Sequence, residues 1–124
     1  MTIQDAIDRT DSLKYNTYTN DEKIAWLSKL DAMVKQLIID THEGGEDIVF
    51  AGYDASTDMG KELIVPEPYD EMYILWLQAK IDLANCEYDK YNASITMFNT
   101  EYEAFESYYN RNHMPLSHGS RFRF

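Results

Sequence analysis

The sequence predicts an all-α protein: a small helical bundle with a long acidic loop and an extended C-terminal tail. Three observations carry that prediction. Apolar residues recur in steps of three and four between Ile24 and Ile38, and again between Ile74 and Tyr109. Between Glu43 and Glu62 the period vanishes, and four glycines and six acidic residues stand with one lysine. After Asn112, Pro115 and Gly119 end helical regularity. A chain of 124 residues suits one domain with a modest core. The expected division is a single helical domain over 1–112, with loop 43–62 projecting from it, and a tail over 113–124.

The first helix is expected from Thr2 to about Asp11, with Thr2 as cap, Asp5 three residues on, and Ile3, Ala6 and Ile7 as a narrow apolar stripe. A polar linker with Thr10, Ser12, Asn16 and Asn20 follows. Thr19-Asn20-Asp21-Glu22 fits a capping box, and Ile24, Leu27, Leu30, Val34, Leu37 and Ile38 then mark five turns of helix, stopped by Gly44-Gly45. In the acidic stretch, Ile48-Val49-Phe50 is compatible with a short strand, which periodicity does not decide. A loop of this length is functional or mobile. In Val65-Pro66-Glu67-Pro68 each proline keeps its predecessor out of the α region. Pro68 suits the first turn of the next helix, and Asp70 and Glu71 favour the positive end of its dipole.

From Ile74 the seam runs Leu77, Ile81, Ala84, Tyr88, Tyr91, Ile95, Phe98, Tyr102, Phe105, Tyr109. Two structures fit. One helix over those 36 residues would reach ~54 Å, too long for the other strong helix to cover. A hairpin broken near Asn85-Cys86-Glu87 is preferred, since each half then lines its stripe onto Ile24–Ile38. The expected core joins Ile24, Leu27, Leu30, Val34 and Leu37 to Leu77, Ile81, Ile95, Phe98 and Phe105. The heptad spacing also fits a parallel coiled-coil dimer, but aromatic seam positions are bulky for two strands, which favours an intrachain bundle.

Net charge is −11. Binding to nucleic acid depends on neutralising phosphates, so an acidic chain is a poor DNA binder. Ten tyrosines and two tryptophans suit either a protein interface or a core short of Leu and Val, and both readings stay open. No apolar run approaches the ~18–20 residues that span a bilayer. The start, MTIQDAIDRT, has neither the basic nor the apolar region of a signal peptide. Cys86, the single cysteine, cannot close an internal disulfide. Work or assembly in the cytosol, away from membranes, is the expectation.

No catalytic constellation emerges. The histidines are His42, His113 and His118, and no Gly-x-Ser-x-Gly, P-loop or His-Glu-x-x-His pattern occurs. Asp70 and Glu71 read as a helix start. Asp54 to Gly60 is similar to the beginning of a calcium loop, but Met59 and Val65 stand where glycine and a bidentate glutamate are required. Asp82 and Glu87 beside Cys86 would raise a thiol pKa, so the thiol reads as inert. The expectation is no enzyme, no cofactor and no metal. Partner binding is assigned instead to Tyr53 and Asp54 in the loop, and to Arg111, Arg121, Phe122, Arg123 and Phe124. From Arg111 onward there are three arginines and no acid. Alternating Arg and Phe suits addition as an edge strand to a partner, with the arginines meeting acidic surface.

Several stretches resemble one family. They are Val65-Pro66-Glu67-Pro68-Tyr69-Asp70-Glu71, Ala79-Lys80-Ile81-Asp82, Tyr91-Asn92, Phe98-Asn99 and Tyr109-Asn110-Arg111-Asn112-His113-Met114-Pro115. Gln4-Asp5-Ala6-Ile7, Trp26-Leu27 and Asp40-Thr41-His42-Glu43 extend the likeness over nearly the whole chain. The family comprises short proteins from the structural gene clusters of tailed phages and prophages of Gram-positive bacteria. Its members typically read Asn-Gly-Glu where this chain has Asn85-Cys86-Glu87, which weakens the case for a glycine-terminated helix. The resemblance implies a head–tail connector or adaptor: a virion protein assembled in the host bacterial cytoplasm. Its partners would be further copies in a ring, the portal protein and tail-side connector proteins, with DNA passing through the channel without specific binding. It supplies no catalytic residues. Another phage tail-completion or assembly factor, or a non-phage helical adaptor, remains the alternative.

Overall fold

The computed structural model describes residues 1–116. Four α-helices, α1 (Ile3–Leu13), α2 (Asn20–Val34), α3 (Glu71–Ala84) and α4 (Tyr88–Asn112), form a bundle with no strands among the described residues. The two expected N-terminal caps form. Thr2 and Asp5 close a capping box on α1, and Thr19 and Glu22 close one on α2. The side chain of each threonine takes an amide that the helix itself leaves unpaired.

A π-helical turn, Lys35–Ile39, continues α2, and the Asp40 amide donates to the Lys35 carbonyl at 2.8 Å. That five-residue step corrects the expected core. On an unbroken α-helix Leu37 and Ile38 would follow Val34 inward at three and four residues. The wider turn adds one residue, so Ile38 and Ile39 are buried and Leu37 turns outward, 54% exposed.

Helix α3 is the centre of the molecule. Met72 to Leu77, Ala79, Ile81 and Asp82 are all buried, as expected of a helix covered on every side, and it packs against α1, α2 and α4. It begins at Glu71, three residues later than Pro68 suggested. The Tyr69 amide is taken by the Pro66 carbonyl at 3.0 Å, so Pro68 lies in a turn before the helix. The Glu67–Pro68 peptide is cis. Glu71 still lies in the first helical turn, where its carboxylate meets Arg9 at 3.2 Å.

The preferred hairpin is the one observed. The Cys86 amide donates to the Leu83 carbonyl at 3.1 Å, and the Glu87 amide to the Asp82 carbonyl at 2.8 Å. This is a Schellman turn, and Cys86 takes its left-handed position at φ 60°. The helix therefore ends as a glycine would end it, without the glycine. On either side of the turn Ala84 and Tyr88 are exposed, and Ile95 is only half-buried, short of its expected place in the core. Phe98, Phe105 and Tyr109 complete the seam. Aromatic rings fill it: Trp76 lies 5.1 Å from Phe98, and Tyr69 lies 6.0 Å from Phe105, centroid to centroid. Ile24, Leu27, Leu30, Val34, Leu77 and Ile81 take their expected core places.

Candidate interaction surface

The stretch 43–62 does not stand clear of the bundle. The Ile3 amide donates to the Lys61 carbonyl at 3.1 Å, the Gln4 amide to Met59 at 2.9 Å, and the Leu63 amide to Met1 at 3.0 Å, tying its end to the start of α1. Its middle is held by a buried carboxylate. Asp31 of α2 is fully buried, and one of its oxygens accepts from the Tyr53 hydroxyl and from the Ile64 amide at 3.2 Å. The other accepts from the Tyr73 hydroxyl at 2.6 Å, which in turn accepts from the Val65 amide at 2.8 Å. Burial pushes the Asp31 carboxyl above its usual range, against the opposing pull of those donors. Burial and the Asp31 charge push both phenols upward, so they stay protonated and donate.

This clasp corrects the expectation for Tyr53, which is 7% exposed and offers a partner no surface. A carboxylate inside the bundle needs donors that α2 cannot supply, and the loop comes in to provide one. Asp54 beside it is exposed, but its carboxylate is occupied locally. It accepts from the Ser56 amide at 2.9 Å and the Ser56 hydroxyl at 2.6 Å, bonds that lower its pKa. Arg111 is exposed on the last turn of α4. Arg121, Phe122, Arg123 and Phe124 lie outside the described residues.

One concave surface lies at the end of α4. Beyond Asn112 the chain turns back along the residues that follow α2: the Glu43 amide donates to the Met114 carbonyl at 2.8 Å, and the Leu116 amide to Thr41 at 2.9 Å. His42, buried between them, holds the Ile38 carbonyl through Nδ1 at 2.6 Å and meets the Asn110 amide oxygen through Nε2. Both ring nitrogens are thus engaged, and its ring stands edge-on to Tyr109 with centroids 5.0 Å apart. Residues 40–43 and 109–115 meet here.

Beside this junction opens a groove of about 220 Å³, lined by Ile39, Ile48, Ile64, Phe105, Tyr108 and His113 among others. Its walls are largely apolar and aromatic, which suits binding of a hydrophobic side chain. Sequence reading missed this groove. Its walls come from four separate segments, at residues 39, 48, 64–66 and 105–113.

At the opposite end, around the α3–α4 turn, Asp82 accepts from Lys14 at 2.7 Å and from the Ser94 hydroxyl at 3.3 Å. The Tyr18 hydroxyl reaches Asn85 at 2.6 Å. These contacts fix the linker before α2 against the hairpin. Among the described residues no three His, Cys, Asp or Glu side chains are grouped to hold a metal ion, and no helix is long and apolar enough to cross a membrane. Compared with protein-family models, with curated proteins and with solved structures, the chain matches none.

Proposed function

We propose that this chain is a non-catalytic structural subunit of a tailed-phage particle, a head–tail connector that forms a ring between portal and tail. The observation that carries the reading is the exposure of α4. This helix of 25 residues buries only Phe98, Phe105 and Tyr109, and even Met97, which lines a surface depression with Glu71 and Leu75 of α3, is 58% exposed. A ring subunit needs two different surfaces, each meeting the other on a neighbour, because a heterologous interface closes by rotation. The outer side of α4 offers one. The junction of residues 41–43 with 114–116 offers a second, away from the hairpin turn. A net charge of −11 suits a channel wall past which DNA moves without being held. The family resemblance described above points to the same role.

Cryo-electron microscopy of tailed particles that carry this chain tests the proposal. Density for the four helices in a closed ring beneath the portal is the expected result. Density at another position in the particle, or absence of the chain from it, overturns the connector reading.

A further inference from the structure

We propose that the groove at the end of α4 is a receptor for the chain's own C-terminal aromatic residues, Phe122 and Phe124. The inference is independent of whether the chain belongs to a phage particle. It begins with size. A buried apolar space of about 150 Å³ accepts benzene, and this groove, at about 220 Å³, has room for a phenyl ring. Its walls include Phe105 and Tyr108, whose centroids lie 6.3 Å apart, so an incoming ring meets aromatic edges and faces as well as the isoleucines.

Two apolar residues adjacent in sequence to the groove lining are exposed. Val49, next in sequence to Ile48 of the groove, is 86% exposed, and Met114, next to His113, is 67% exposed. Charge agrees with the same occupant. Asp47 and Glu67, each one residue from a groove-lining position, are exposed, and the last four residues are Arg121-Phe122-Arg123-Phe124. In extended backbone the two rings share one side. Arginine's long side chain lets its charge reach an acidic rim while its stem lies on apolar surface.

Reach and direction favour the same molecule over a neighbour. Glu43 pairs with Met114 and Thr41 with Leu116, so residues 114–116 run antiparallel to 41–43, and Leu116 pairs two residues in sequence from Ile39, a groove residue. The six residues from Leu116 to Phe122 span up to ~20 Å. A tether this short gives an effective concentration on the order of millimolar, which a second copy at micromolar concentration does not match.

The test uses the full chain and its Phe122→Ala/Phe124→Ala variant, with circular dichroism to check equal helicity. A synthetic peptide of residues 117–124 is titrated into each, and the methyl signals of Ile39, Ile48 and Ile64 are followed by NMR. The peptide is expected to shift those methyls in the variant and to bind it at least tenfold more tightly than it binds the wild-type chain, whose groove is already filled. Equal affinity for both chains, or no methyl shift in the variant at millimolar peptide, overturns the proposal. So does a mixed-label sample of the wild type in which the groove methyls contact Phe122 or Phe124 of a second copy.

Discussion

Removing one oxygen from Tyr73 should cost more than removing one from Tyr53, although both phenols donate to the same carboxylate. In Tyr53→Phe, Asp31 loses one donor but keeps Tyr73 and the Ile64 amide. A hydrogen bond to a charged group contributes about 1.5–3 kcal/mol, and that is the expected loss. Tyr73→Phe loses an equivalent bond and also strands the Val65 amide, whose only observed acceptor is the Tyr73 oxygen and whose residue is fully buried. An orphaned buried donor adds about 1–3 kcal/mol, so the total is about 2.5–6 kcal/mol. Against a typical domain stability of about 5–15 kcal/mol, that is a large fraction. Urea unfolding followed by circular dichroism measures it. With a slope of about 2 kcal/mol/M the midpoint should fall by roughly 2 M for Tyr73→Phe and by about half that for Tyr53→Phe. If Tyr53→Phe proves as costly as Tyr73→Phe, or neither moves the midpoint, the clasp does not hold the loop as described.

Asp31 sets a pH dependence with a definite sign. Because its folded pKa lies above the unfolded value, its contribution is fully present below the unfolded value and is lost as pH rises through the folded one. Relative to Asp31→Asn, the wild type should therefore lose stability as pH rises through the window just above the ordinary Asp range, seen as converging or crossing urea midpoints. Cys86→Gly relieves a left-handed residue that costs about 1–2 kcal/mol, partly offset by the ~0.5–1 kcal/mol entropy of an added glycine. A gain of about 0.5–1 kcal/mol in thermal or urea unfolding is expected. Leu30→Ala and Phe98→Ala should each cost about 2–5 kcal/mol, whereas Leu37→Ala should stay within about 0.5 kcal/mol, a contrast that tests the π turn directly.

What the sequence disclosed was what neighbouring residues decide together. Thr2 with Asp5 and Thr19 with Glu22 are complete within four residues, and both caps form as read. The hairpin followed from length: a single helix from Ile74 to Tyr109 had nothing to cover it. Leu37 was misplaced because Leu37 and Ile38 are both apolar, so spacing could not reveal that the helix widens between them. Tyr53 was misplaced for another reason. Its burial depends on a carboxylate 22 residues earlier, and nothing in a glycine-rich acidic stretch advertises that bond. The groove was illegible because Ile39, Ile48, Ile64 and Phe105 become neighbours only after the loop has closed.

The clasp on Asp31 also has a meaning for motion. Ile64 and Val65 belong to no helix, yet their amides end on Asp31 and on the hydroxyl of Tyr73, inside the bundle. To release them, water must reach the space between α2 and α3, which requires those helices to part. In hydrogen exchange the Val65 amide should thus be among the slowest outside the helices, opening only with the global unfolding of the domain. Irregular backbone here belongs to the same cooperative unit as the helices it crosses, and a protease should find the Asp54–Asp58 turn long before it finds Leu63–Val65.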